Sequence, residues 1–211
     1  MIRKLSILCL SILFCGSVAR AADSAGNRKD QTVRLGIKTG IHLFYLISTP
    51  FVLEIPGEDV TFGLVYGSGD LQTTTSSTTS GYATQTYTDV LTFTTTELTG
   101  RYYIGNSFNI PFGVAMYNVH DDNWEYSSTA AYELDYSITQ LNLGIGNEWT
   151  YDWGGYLGID WFQGGAKLSE KASATLVSGT ESPTSKAKAE TTSTEVQAFA
   201  GVLIFTFGFG F

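Results

Sequence analysis

Residues 202–211 read VLIFTFGFGF and carry a bulky apolar side chain at every second position. Successive side chains of a β-strand point to opposite faces. The stretch therefore predicts a strand with Leu203, Phe205, Phe207, Phe209 and Phe211 in one column and mostly smaller side chains on the other face. A column of phenylalanines needs an apolar partner, and a lipid bilayer provides one. A central strand of a secreted β-sandwich is the less favoured alternative.

Residues 1–21 have the features of a secretory signal peptide. Arg3 and Lys4 form a short positive region, residues 5–18 form an apolar run, and Ala21 is the small residue at the expected cleavage site. The apolar run has about 14 residues, which is short of the ~20 that a membrane-spanning helix needs. We therefore expect this segment to be removed on export.

Both cysteines of the chain, Cys9 and Cys15, lie within the predicted signal peptide. Lipidation of Cys15 is disfavoured because Phe14 stands where lipoprotein sites have a small residue. The mature chain would then contain no cysteine. That composition excludes disulfide bonds, thiolate catalysis and cysteine metal sites.

The mature chain is strongly acidic. The full sequence has a net charge of −8, and without residues 1–21 it has 9 basic and 20 acidic residues, a net charge of −11. A nucleic-acid partner is excluded because the phosphate backbone would be repelled. No mature segment is a continuous apolar run long enough for a spanning helix. Barrel strands escape such a search because only alternate residues face lipid.

About 190 residues remain after cleavage, and transmembrane strands need ~9–11 residues each. Eight strands fit, whereas ten would leave almost no loops, and an even number is the rule. We expect a flexible periplasmic lead-in over residues 22–31 and a barrel over residues 32–211. The predicted strands cover residues 32–45, 49–55, 59–69, 87–104, 108–119, 130–149, 155–166 and 193–211.

The connections between the predicted strands alternate in length. Polar segments at residues 72–86, 120–128 and 167–191 predict long outer loops, and the turns between them are short. Outer-membrane barrels show this asymmetry. In the sixth strand the apolar residues change from even to odd positions near Thr139 and Gln140. This change predicts either a β-bulge there or an upper part that projects beyond the membrane.

The chain resembles the small eight-stranded outer-membrane barrels of the OmpA and OmpX type. The resemblance covers the whole mature chain and rests on the architecture and on the phenylalanine-rich terminal strand. It implies an all-β, transmembrane, up-and-down antiparallel barrel in the bacterial outer membrane. It also implies contact with outer-membrane lipid and lipopolysaccharide, and recognition of Phe207, Phe209 and Phe211 by the barrel assembly machinery.

Seven charged residues fall on the faces opposite the lipid columns. A charge on the lipid face would cost ~2–4 kcal/mol at the bilayer midplane, whereas inside a barrel these groups can pair with one another. We expect them to form a hydrogen-bonded network that seals and orders the interior. A narrow path for ions or small solutes is the alternative. The predicted interior residues are Arg34, Lys38, Glu54, Glu97, Arg101, Glu148 and Asp160.

The sequence contains no recognisable catalytic, cofactor or metal motif. It has two histidines: His42 is predicted to face inward, and His120 lies beside Asp121 and Asp122 in a polar segment. The spacing of Asp121, Asp122 and Glu125 is not that of a calcium loop. We expect a non-enzymatic barrel with a structural or surface-interaction role and an unidentified extracellular ligand. A channel is the second hypothesis, and an enzyme acting on membrane lipid is the third.

Overall fold

The computed structural model describes residues 23–77, 85–127, 130–179, 186 and 198–211. The predicted signal peptide, residues 1–21, lies outside this part of the chain. The described strands form one closed antiparallel barrel in chain order, which confirms the predicted all-β, up-and-down fold of eight strands. No helix within the described ranges is long and apolar enough to cross a membrane. The strands are β1 Arg34–Ile41, β2 Phe51–Ile55, β3 Val60–Ser77, β4 Gln85–Ile104, β5 Phe108–Ser127, β6 Ala130–Thr150, β7 Gly155–Gly179 and β8 Gly201–Gly210, and the helices are α1 Ser24–Lys29 and α2 Leu43–Ser48.

The outward face of the wall is apolar. Leu64, Leu98, Val114 and Leu141 lie side by side across β3, β4, β5 and β6, and all four are exposed. The residues between them along each strand point inward and are polar or small, as the alternation along a strand requires. The barrel therefore has an apolar exterior and a polar interior, the reverse of a water-soluble protein.

The ladder between β1 and β8 closes the barrel. It runs from Arg34 opposite Gly210 to Ile41 opposite Val202, with one register shift between Gly40 and Ile41. The extra residue is Leu203, which adopts a positive φ of 48°. This bulge turns Val202 outward, whereas the sequence had predicted it to face inward. Phe207, Phe209 and Phe211 are exposed on the outer wall.

The prediction of a first strand over residues 32–45 is wrong at its C-terminal end. β1 stops at Ile41, and the apolar run Leu43–Ser48 forms helix α2. Leu43 and Leu46 are exposed on one side, whereas Phe44 and Tyr45 are fully buried. Apolar residues at both parities suit a helix that has lipid on one side and the barrel interior on the other. Thr49 ends the helix in the left-handed region, just before Pro50.

The polar segments predicted as long loops contribute strand residues at 72–77, 85–86, 120–127 and 167–179. β3 and β4 stay paired out to Ser77 opposite Gln85, β5 extends to Ser127, and β7 extends to Gly179. The loop prediction was wrong because it relied on polarity, whereas threonine is a strong β-former whose backbone pairs as well as that of valine. Five long strands therefore project beyond the short β1, β2 and β8. The structure also describes Lys186 within these segments, outside any strand.

The irregularity predicted near Thr139 and Gln140 is present, but it lies in the neighbouring strand. Thr139 is opposite Ser169 and Gln140 is opposite Lys167, so the extra residue is Leu168 of β7. β6 keeps a single alternation, and its upper apolar side chains, among them Tyr136 and Ile138, point inward. The change of parity in the sequence therefore marks an apolar layer inside the barrel.

The lead-in predicted to be flexible contains a helix that is fixed to the barrel. In α1, Ser24 Oγ accepts a hydrogen bond from the backbone N–H of Thr150 at 2.8 Å. Arg28 is fully buried and donates to the carbonyl oxygens of Gly57 at 3.1 Å and Glu58 at 2.8 Å. The sequence prediction considered only the polarity of residues 22–31, which does not reveal the carbonyl groups that receive Arg28.

A charge on the apolar wall is expected to destabilise the barrel according to its depth. Leu98 lies mid-wall and is 67% exposed, and Val177 is 56% exposed on the projecting part of β7. Leu98→Lys should lower the unfolding free energy in phospholipid vesicles by about 2–4 kcal/mol, and Val177→Lys by about 0–1 kcal/mol. Urea titration followed by tryptophan fluorescence measures both. Equal losses would contradict the assignment of the wall to lipid.

Candidate functional site

All seven charged residues predicted for the interior are placed there, each 3% exposed or less. They come from β1, β2, β4, β6 and β7 and form two layers along the barrel axis. The lower layer lies near the short turns and contains Arg34, Glu54, Arg101, Glu148 and Asp160. The upper layer contains Lys38 and Glu97. Each layer is built around carboxylates that receive several donors.

Glu148 is the centre of the lower layer. Its Oε1 atom accepts hydrogen bonds from Arg34 Nη1 and from the Tyr103 hydroxyl, both at 2.6 Å. The other donors of Arg34 are also used: Nη2 donates to Thr150 Oγ1 at 2.7 Å, and Nε donates to Gln31 Oε1 at 2.6 Å. The guanidinium is thus held in a fixed orientation, which a solvated ion pair would not provide.

Arg101 joins the rest of the lower layer. It donates through Nη1 and Nη2 to the two oxygens of Asp160, at 2.5 and 3.1 Å, and through Nη1 to Asn109 Oδ1 at 3.1 Å. Its Nε lies 3.5 Å from Glu148 Oε2 and 3.9 Å from Glu54 Oε1. Two guanidinium groups and three carboxylates therefore form one network across the barrel.

Glu97 is the centre of the upper layer. Its Oε2 accepts from the Tyr45 hydroxyl at 2.7 Å and from Lys38 Nζ at 3.4 Å. Its Oε1 accepts from Asn142 Nδ2 at 3.1 Å and from Gln163 Nε2 at 3.3 Å. Four residues, from strands β1, β6 and β7 and helix α2, thus converge on a single carboxylate.

Sequence reasoning missed the neutral members of both layers. Asn142 stands at an inward position of β6, so strand parity alone could have identified it. Gln163 faces inward only because the extra residue Trp161 interrupts the alternation of β7. Tyr45 could not be identified in this way because it comes from helix α2, whose formation was not predicted. The interior is therefore a network of charged and neutral polar groups, denser than charge pairing alone implied.

An aromatic layer covers the upper polar layer. Phe44 of α2 packs against Tyr117, with ring centroids 4.5 Å apart, and against Phe93 at 5.4 Å and Phe199 at 4.8 Å. His42 points inward, as predicted, and stacks on Tyr45 at 4.2 Å. Among the described residues His42 Nδ1 has no hydrogen-bond partner. This histidine therefore has no carboxylate to orient it as a general base.

The lower end of the barrel is covered by α1. The guanidinium of Arg28 lies over the Tyr103 ring, 3.4 Å from its centroid, and Tyr103 in turn bonds Glu148. Ser24 Oγ donates to the carbonyl oxygen of Glu148 at 3.3 Å. The helix is thus attached directly to the lower polar layer, and side chains occupy the interior from α1 through both polar layers to the aromatic layer.

His120 lies on the outer face of the projecting strands, and 37% of its side chain is exposed. Its Nδ1 is 2.8 Å from Asp135 Oδ1. The hydrogen bond to Asp135, and the charges of Asp135, Asp122 and Glu133, raise the pKa of His120 above its ordinary value. A groove of about 770 Å³ adjoins it, and its lining includes Asn118, Ser137 and Lys171.

Comparison with known proteins identifies no family. No protein-family model matches the chain, and no curated protein matches it significantly. The crystal structure of Acinetobacter baumannii CarO is 11% identical, with a TM-score of 0.44, over 87% of this chain and 99% of that chain. Acinetobacter baumannii CarO2 is 12% identical, with a TM-score of 0.43, over 85% and 98%. At this level of similarity the two structures assign no function.

Removal of one partner from the lower layer should destabilise the barrel strongly. Arg101→Met leaves Asp160 without its counter-charge and removes the second guanidinium beside Glu148, and the unfolding free energy should fall by about 3–5 kcal/mol. Adding Asp160→Asn to that variant should restore part of the loss, because it removes a buried uncompensated charge. Urea unfolding of the single and double variants in vesicles measures both. Strictly additive losses would contradict a direct pair.

Proposed function

We propose that this chain spans the bacterial outer membrane as a sealed barrel and acts through the strands that project from it. Its role would be structural or surface-interactive. The observation that carries the proposal is the filled interior: two polar layers, an aromatic layer above them and helix α1 below them. An eight-stranded barrel has an interior just wide enough for side chains to fill. The outward apolar wall supports a location in lipid.

The same observation disfavours the channel hypothesis. A conducting path needs groups that bind an ion weakly enough to release it. Here the charged groups are engaged with one another: Arg34 with Glu148, and Arg101 with Asp160. A passing ion would have to break these contacts within a low-dielectric interior, where separating such pairs is costly.

The projecting part of the barrel supports the surface-interaction role. β3 to β7 continue as paired strands beyond the apolar wall, so they offer a rigid surface where loops had been expected. Serine, threonine and charged side chains cover its outer face, among them Ser68, Asp70 and Lys171. Outer-membrane lipid and lipopolysaccharide would contact the lower part of this surface. The barrel assembly machinery would recognise Phe207, Phe209 and Phe211 during insertion.

Conductance separates the sealed barrel from the channel. The refolded mature chain, inserted into planar bilayers, should give no ion-selective steps. Insertion is checked in parallel by protease resistance, and a general porin is the positive control for the bilayer. Steady conductance steps in the wild type that disappear in Glu97→Gln would overturn the sealed interior and favour the channel.

The lipid A mass spectrum tests the enzyme hypothesis. The spectrum of overexpressing cells should stay unchanged, whereas a new lipid A species would favour an enzyme.

Cysteine labelling tests the membrane location and orientation. Residues 22–211 contain no cysteine, so a single introduced thiol is specific. Ser173→Cys, on the outer face of the projecting strands, should react with an impermeant maleimide in intact cells. Asp152→Cys, exposed in the turn at the opposite end, should react only after the outer membrane is permeabilised. If only Asp152→Cys were labelled in intact cells, the orientation of the barrel would be the opposite of the one proposed.

A further inference from the structure

The projecting strands β5 and β6 bring one histidine and three carboxylates to the same outer face. His120 is directly opposite Asp135 in the ladder, and a register shift follows between Asp121 and Trp124. Such a bulge re-aims the side chains next to it. Asp122 and Glu133 thereby reach the far side of the His120 ring.

Each nitrogen of the His120 ring faces a carboxylate. Nδ1 lies 2.8 Å from Asp135 Oδ1, while Nε2 lies 3.1 Å from Asp122 Oδ1 and 3.8 Å from Glu133 Oε1. With its proton on Nδ1, the neutral ring directs the lone pair of Nε2 towards two carboxylate oxygens. Each carboxylate places an oxygen within 3.8 Å of Nε2, so a proton or a metal cation at that nitrogen would be stabilised by both.

We propose that His120 Nε2, Asp122 and Glu133 bind a divalent transition-metal ion, zinc in the first place, with Asp135 orienting the imidazole. A carboxylate on the second ring nitrogen is a common partner of metal-bound histidine. The inference goes beyond the proposed function, because it concerns the outer surface whether or not the barrel conducts.

The distances fit a zinc ion. Zinc lies about 2.0–2.2 Å from nitrogen and oxygen ligands, so two ligand atoms of a tetrahedral site are about 3.3 Å apart. The separation of 3.1 Å between Nε2 and Asp122 Oδ1 is close to that value. Glu133, whose oxygen is 3.8 Å away, needs only a small side-chain movement. The ligand atoms of His120, Glu133 and Asp135 all lie within 4.8 Å of one another.

The ligand set selects the kind of metal. Calcium and magnesium prefer oxygen ligands alone, whereas a mixed set of imidazole and carboxylates suits zinc. Three protein ligands leave the fourth position of a tetrahedral ion open. The groove of about 770 Å³ next to His120 is lined by Asp135 and Lys171 but by neither Asp122 nor Glu133, so it adjoins the orienting side of the ring.

The sequence had predicted no metal site, and the reason is the pairing. His120 and Asp122 are close in the chain, but Glu133 and Asp135 belong to the next strand. Only the register of β5 against β6 brings the four side chains together. No spacing pattern within one strand could have revealed them.

Zinc titration of the refolded, chelator-treated barrel in detergent micelles tests the proposal. Calorimetry should show one zinc ion per barrel, and cobalt should give the absorption bands of a tetrahedral ion. His120→Ala should abolish this binding, and Asp135→Asn should weaken it about 10- to 100-fold. Asp152→Asn, which removes an exposed carboxylate at the opposite end, is the matched control and should bind as the wild type does.

The pH dependence of zinc binding provides a second readout. Zinc and a proton compete for the Nε2 lone pair of His120, because only the neutral imidazole binds a metal. Affinity should therefore fall as the pH is lowered, with release of a proton on binding. Gel mobility without heating verifies that every variant is folded. Absence of stoichiometric binding in the wild type, or equal binding by His120→Ala, would overturn the proposal.

Discussion

The backbone ladder between β1 and β8 is the constraint on which the rest of the structure depends. It joins Arg34 to Gly210 at one end and Ile41 to Val202 at the other. Closure pairs the edge strands that an open sheet would leave exposed, and lipid offers no water to satisfy unpaired backbone groups. Once the ring is closed, every strand has one face outside and one face inside, and the chemistry of the two faces can differ completely.

The closed ring explains why so many charges can be buried. Three cations and four carboxylates converge within two layers, and neutral partners such as Tyr103 and Asn142 satisfy further oxygens. Buried ion pairs are costly unless hydrogen bonds complete them, and here most of the donors are used. A filled interior leaves the outer surface as the part that can meet other molecules. The projecting strands and the cluster around His120 belong to that surface.

Sequence patterns predicted the parts of the fold that depend on local alternation. The column of Phe207 and Phe209 and the inward charges follow from a period of two. Helix α2 was missed because Phe44 and Leu43 fit a strand as well as a helix when only parity is considered. The threonine-rich segments were misassigned because polarity does not distinguish a loop from a strand that projects into water. Their pairing partners decide between the two, and those partners are distant in sequence.

The sequence by itself determined the barrel, its strand number and the face on which each interior charge lies, because side chains alternate between the two faces along each strand. Only the tertiary structure decided which charges meet. Arg101 bonds Asp160, a residue of a strand that is not its neighbour in the ring, because the curvature of a small barrel brings opposite walls together. Likewise, the register of β5 on β6 places His120 beside Asp135. Register and curvature are properties of the closed ring, and no single strand encodes them.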